Sequence, residues 1–174
     1  MFEDYVVLDT ETTGLCPGKD RIVELSMVRV RNHRIVSEFS QMFNPQQPIG
    51  YGASKVNGIT NDMVWDKPLI KDYKEKILDF LGFDVIVGHN IRFDISFLRK
   101  ELGQCIDCFD TLDTITMARA LYPGQYSYSL INLCRTLNIA QQQKHRALDD
   151  VYLTYKLLEV MLEKGEKMGM RIEL

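Results

Sequence analysis

The chain has 174 residues, is 45% hydrophobic and carries a formal net charge of −3, enough for one well-buried core. With no Pro/Gly/Ser-rich linker, no N-terminal signal pattern and no apolar run near the ~20 residues that span a bilayer, a single domain over 1–174 is expected, soluble and cytoplasmic, with no membrane partner. The acidic balance argues against a protein that coats duplex DNA by counterion release, but not against a nuclease that touches a few nucleotides at a strand end.

Residues 5–8 (Tyr-Val-Val-Leu) form a β-branched and aromatic run that predicts a buried strand. If the extended backbone continues, Asp9 and Glu11, two residues apart, project to the same face. Carboxylates that close repel and raise one another's pKa unless a hard divalent cation binds their oxygens. Taken alone, Asp-x-Glu reads as the start of a polar turn built on Thr12, Thr13 and Gly14. Two more β-rich runs, 22–30 and 35–43, flank a polar turn at 31–34, so the first three strands read as an antiparallel meander. A loop with Pro45 and Pro48 follows, in which Asn57-Gly58 reads as a turn dipeptide. Residues 69–81 place Ile70, Tyr73, Ile77 and Phe80/Leu81 on one face of an amphipathic helix.

A short apolar strand over 84–88 leads through a His89-Asn90 turn into a helix over 93–102, with Phe93, Phe97, Leu98 and Leu102 at helical spacing. Asp94 falls in its first turn, where a carboxylate against the helix dipole is worth roughly 0.3–1 kcal/mol. A strand over 109–112 and helices over 114–121, 129–137 and 146–164 complete an alternating α/β order, and 165–174 reads as a loosely docked tail. In the last helix, Leu148, Val151, Tyr152, Tyr155, Leu158 and Leu162 keep the helical period, and Asp150 lies a turn and a half after His145. An imidazole at the start of a helix that carries a metal-binding carboxylate can take a proton from a metal-bound water. Cys16, Cys105, Cys108 and Cys134 have neither disulfide-framework nor zinc-site spacing, so free thiols are expected. Lys19, Arg21, Lys55, Arg92, Lys144 and Arg146 lie near these motifs and could touch phosphates, though most read as solvated surface charge.

In order and spacing, DTETTGL (9–15), HNIRFDISFL (89–98) and HRALDD (145–150) resemble the three motifs of the DnaQ-like (DEDDh) 3′→5′ exonucleases, which include proofreading epsilon subunits and domains of bacterial DNA polymerase III. IVELSMVRV, KVNGIT, FDTLDTITMARALYP and YSLINLC resemble the family's linking parts, so the likeness covers nearly the whole chain. It implies an α/β protein of ribonuclease H-like fold, a mixed five-stranded sheet with flanking helices. It also implies that Asp9, Glu11, Asp94 and Asp150 hold two divalent ions, Mg2+ with Mn2+ as a substitute, and that His145 is the general base. The related tyrosine branch of the family has its tyrosine where Arg146 stands, and the motif spacing selects Asp150 over Asp149.

By the same resemblance, Thr12, Thr13, Gly14, Leu15, Asn57, His89, Asn90 and Phe93 bind substrate, with Leu15 against the terminal base. Asn57 departs from the histidine that many relatives carry, which bears on substrate affinity or preference. The implied reaction is hydrolysis of the 3′-terminal phosphodiester of DNA, preferably single-stranded, to nucleoside 5′-monophosphates, with a DNA polymerase as a candidate partner. An exoribonuclease uses the same residues and differs in contacts to the 2′-OH. An inactive strand-end-binding module would lack a ligand or the base, and all five are present.

Overall fold

A computed structural model describes residues 3–169. Its centre is a five-stranded sheet of order β3-β2-β1-β4-β5, formed by β1 (Tyr5–Thr12), β2 (Ile22–Arg31), β3 (Arg34–Met42), β4 (Val85–Gly88) and β5 (Thr111–Asp113). The first three strands are the antiparallel meander read from the sequence; β4 and β5 run parallel to β1 and make the sheet mixed. β1 outlasts its apolar run because β2 pairs along its whole length, with Asp9 opposite Ser26 and Glu11 opposite Glu24. The register shifts between Glu11 and Thr12, where the strand ends.

Strand alternation divides the core in two. Val6 and Leu8 enter the layer beneath α3 (Lys74–Leu81) and α4 (Ile91–Leu102), with Ile77, Leu81, Phe97 and Leu98. Tyr5 and Val7 face α5 (Thr114–Leu121), α6 (Leu130–Thr136) and α7 (Ala147–Lys167), with Ala118, Leu133, Val151 and Leu158. The helix expected over 69–81 is a 3₁₀ turn (Ile70–Tyr73) running into α3. α4 starts before the expected Phe93, with Asn90 as its cap in the left-handed region (φ 66). α5 is capped by the Asp113 carboxylate, which accepts the Ile115 N–H at 2.9 Å.

Two short helices in the loop after β3 escape the periodicity: α1 (Tyr51–Asn57) and α2 (Asn61–Val64). Around them Ile49, Ile59 and Val64 pack with Val23 in a small third cluster. The turn expected at Asn57-Gly58 is the end of α1, where Gly58 at φ 71 supplies the left-handed residue. The tail expected from residue 165 needs correcting: α7 continues to Lys167 and buries Gly165, and residues 170–174 lie outside the described part. Among the described residues no helix is long and apolar enough to cross a membrane.

Candidate active site

Because Tyr5 and Val7 point toward α7, so do Asp9 and Glu11. Asp150, in the first turn of α7, meets them, and carboxylate oxygens of Asp9, Glu11 and Asp150 lie within 4.8 Å of one another. Asp94 reaches the same strand end from α4, on the other side of the sheet. Its Oδ1 accepts the Thr10 backbone N–H at 2.9 Å and the Thr10 hydroxyl at 2.7 Å, so the residue between Asp9 and Glu11 holds the fourth acid in place.

Burial pushes all four carboxyl groups up, and mutual repulsion adds to it at Asp9 and Glu11. Burial raises Asp9 well above the usual carboxylate range, with Asp94 as the strongest charged contributor, then Glu11 and Asp150. Glu11 is raised to about 8, by burial and then by Asp150, against a lowering hydrogen bond from the Asn57 amide. Asp94 is raised to about 7 by burial, opposed by the two Thr10 hydrogen bonds. Asp150 is raised by burial, opposed by the Gln143 hydrogen bond and the His145 charge. Gln143 Nε2 donates to Asp150 Oδ2 at 2.7 Å, whereas Asp150 Oδ1 is buried without a hydrogen-bond partner. An orphaned acceptor beside two more hard oxygen donors fits a hard divalent cation.

His145 is exposed, in the left-handed region (φ 53), just before α7. With Gln143, Asn90 and His89 it borders an open cavity of about 520 Å³. His89 is committed elsewhere: Nε2 donates to the Tyr128 carbonyl at 2.9 Å and Nδ1 sits 2.8 Å from the Thr114 hydroxyl. Burial lowers its pKa. The ring therefore ties β4 to the start of α5 and the loop before α6. The Asn90 backbone N–H is held at 3.1 Å by Asp113.

The remaining expected substrate residues, Thr12, Thr13, Gly14, Leu15, Asn57 and Phe93, all line a second cavity, also of about 520 Å³, into which Glu11 faces. Leu15 at its edge is 85% exposed. The Thr13 hydroxyl receives Gln47 and the Arg21 N–H, and the Thr12 hydroxyl donates to the Gly14 carbonyl, so both threonines shape the loop. A Cβ at Gly14 would stand 2.5 Å from the Asp20 carboxylate, which explains the glycine. Buried Asn57 accepts the Ile59 N–H at 3.0 Å and turns its amide toward the Thr12 carbonyl.

Several contributors were not legible as such in the sequence. Glu24, Thr10 and Gln143 support the site, while α1 supplies Gly52, Ala53 and Val56 to the cavity wall. Three of the basic residues read as solvated are ion-paired: Arg21 with Glu101, Lys144 with Asp149 and Arg146 with Glu24.

The exonuclease family RNase_T matches residues 6–158. The chain belongs to this family of DnaQ-like exonucleases. DNA polymerase III PolC-type from Caldanaerobacter subterraneus subsp. tengcongensis is 37% identical over 171 residues, covering 97% of this chain and 12% of that protein. The chain thus spans about 12% of the length of such relatives. The 3′-5′ exonuclease DinG of Bacillus subtilis is 34% identical over 165 residues, 92% of this chain and 18% of that one. Among solved structures, exonuclease X in complex with 5′ overhanging duplex DNA superposes with a TM-score of 0.76 at 33% identity, over 96% of this family member and 94% of that chain. E. coli exonuclease I with a dT13 oligonucleotide gives a TM-score of 0.80 at 18% identity, over 96% and 42%, a likeness of fold. The ribonuclease H-like fold expected for the family is the one observed.

Proposed function

We propose that this domain, taken as one unit over 1–174, is a divalent-metal-dependent 3′→5′ exonuclease that removes nucleoside 5′-monophosphates from DNA ends. One observation carries the reading: Asp9, Glu11 and Asp150 converge from β1 and α7 within 4.8 Å. An oxygen of Asp150 there is left without a protein partner. Exonuclease X, related over nearly its full length and solved with DNA, supports DNA as the substrate. The PolC-type relatives support association with a polymerase.

Asp9, Glu11 and Asp150 would hold the cation, and Asp94, steadied by Thr10, would support a second. Two such ions, Mg2+ or Mn2+, would supply an activated water and stabilisation of the leaving 3′ oxygen when bound. His145 would receive the proton of the attacking water; its exposure just before α7 and its charge interaction with Asp150 support this role. Leu15, Val56 and Phe93 give the second cavity an apolar wall against which the terminal base can lie. The free thiols of Cys16, Cys105, Cys108 and Cys134 fit a reducing, cytoplasmic setting.

The test is a nuclease assay on matched single-stranded DNA and RNA, with Mg2+, Mn2+ or chelator. Metal-dependent release of 5′-mononucleotides from the DNA supports the reading; no release with either metal overturns it, and a preference for RNA overturns the substrate.

A further inference from the structure

The two cavities share no lining residue, and the carboxylates link them: Glu11 lines one, while Gln143, bonded to Asp150, lines the other. Cleavage of a terminal phosphodiester needs room for one nucleotide on its 3′ side and for the rest of the strand on its 5′ side. The apolar cavity edged by Leu15 accounts for the first requirement. We propose that the cavity on the His145 side receives the strand 5′ of the scissile bond, with Arg119 on a backbone phosphate and Tyr126 stacked on a base. This rests on the exonuclease reading and extends it to a subsite for the retained strand.

The wall of that cavity has the chemistry of a single-strand track. Tyr126 is fully exposed, at 105%, so its ring is available to a planar partner. Exposed Arg119 holds its guanidinium 5.6 Å above the Tyr128 ring, which orders the cation without neutralising it. Ser127 and Ser129 add hydroxyl groups, and such groups contact phosphate oxygens. Among the described residues no carboxylate lines this cavity, although Asp and Glu outnumber Lys and Arg, 24 to 21, over the whole chain. The His89 bonds to Thr114 and the Tyr128 carbonyl brace the wall from behind. A cation with aromatic faces is the combination that binds single strands without reading sequence.

Two substrates separate this subsite from the catalytic centre. The p-nitrophenyl ester of thymidine 5′-monophosphate presents a single nucleotide, whereas a short oligothymidylate also presents the 5′ side. Tyr126→Ala and Arg119→Ala should each raise KM for the oligonucleotide roughly tenfold, within the range that loss of a stacked base or phosphate contact gives. Both should leave ester hydrolysis unchanged, and Tyr126→Phe should keep most of the oligonucleotide affinity. Unchanged KM on the oligonucleotide, or an equal loss on the ester, overturns the proposal. So does a loss confined to duplex substrates, which would give the cavity to the complementary strand. Fluorescence anisotropy of labelled oligothymidylate in chelator reads the subsite without catalysis. If the wild-type protein cleaves neither substrate but the variants still bind the strand more weakly, the exonuclease reading fails while the strand-binding cavity stands.

Discussion

Glu24 on β2 and Arg146 at the entrance to α7 meet in a two-bond pair, Nη2–Oε1 2.6 Å and Nε–Oε2 3.1 Å, and the same carboxylate accepts the Ala147 backbone N–H at 3.1 Å. Glu24 is also the cross-strand neighbour of Glu11. The pair therefore fixes the first turn of α7, and Asp150 with it, against the strand beside the site.

The two partners differ in exposure, the Glu24 side chain at 4% and that of Arg146 at 37%, so their loss should not cost the same. Arg146→Met strands a buried carboxylate and should cost about 3 kcal/mol, the low end for a broken buried pair because the arginine is partly solvated. Glu24→Gln should cost less, since its amide oxygen can still accept from Ala147 and the arginine can turn to water. Denaturant titration of both variants checks this, and the reverse order would show that the pair does not anchor α7.

Asp9→Ala removes the carboxylate most surrounded by the other acids. Hydrolysis should fall to background while the metal-free protein melts at or above the wild-type temperature, because the lost charge had been repelled by Asp94, Glu11 and Asp150. Activity and thermal melts in chelator are measured on the same preparation. Cleavage at the wild-type rate by the folded variant would rule out the metal assignment.

Legibility in the sequence followed the range of the interactions. Acids two apart on a strand, and an acid in the first turn of a long periodic helix, are local patterns that made Asp9, Glu11 and Asp150 candidates, and the family resemblance made them metal ligands before their meeting was seen. α1 and α2, with 7 and 4 residues, are too short for a period to register. Arg146 looked like surface charge because its partner is 122 positions away. His89 reads as a substrate contact because it sits in a motif, whereas its ring bonds to Thr114 and Tyr128, 25 and 39 residues on, leave no local trace in the sequence.

Stability of the metal-free protein should fall as pH rises. Burial raises Glu11 from 4.5 to about 8 and Asp94 from 3.8 to about 7. A group whose folded pKa is raised contributes stability that is full below its unfolded pKa and lost as pH climbs through the folded value. The melting temperature in chelator should therefore drop between pH about 4 and about 8. Mg2+ should flatten that slope by neutralising the cluster, and Glu11→Gln should reduce it. His89, whose pKa is lowered by burial, acts the other way, losing its contribution as pH falls below its unfolded value of 6.5. A melting temperature that rises steadily with pH in chelator would contradict the crowding account.

His145→Ala should slow the chemical step roughly 10²–10⁴-fold, the usual loss for a general base. Metal binding should persist, because the cluster of Asp9, Glu11 and Asp150 does not include the imidazole. Added imidazole should restore part of the rate. Calorimetric metal titration and single-turnover cleavage separate the two effects. A variant with the wild-type single-turnover rate would take the proton-transfer role away from His145.

The form of the substrate follows from how the terminal nucleotide must be held. To set its phosphodiester on the carboxylates and its base in the cavity between Leu15, Val56 and Phe93, the last nucleotide has to leave any paired stack. Unpairing and unstacking cost a few kcal/mol, least for a base that is mismatched or already single-stranded. Single-stranded and 3′-mismatched DNA should therefore be degraded faster than a matched blunt duplex, and Leu15→Ala should slow the duplex more than the single strand. Oligonucleotides labelled at the 5′ end give the readout: a ladder shortening by single nucleotides from the 3′ side is expected. Immediate release of the labelled terminal nucleotide, or cleavage of a covalently closed circle, would show that the enzyme does not work inward from a 3′ end.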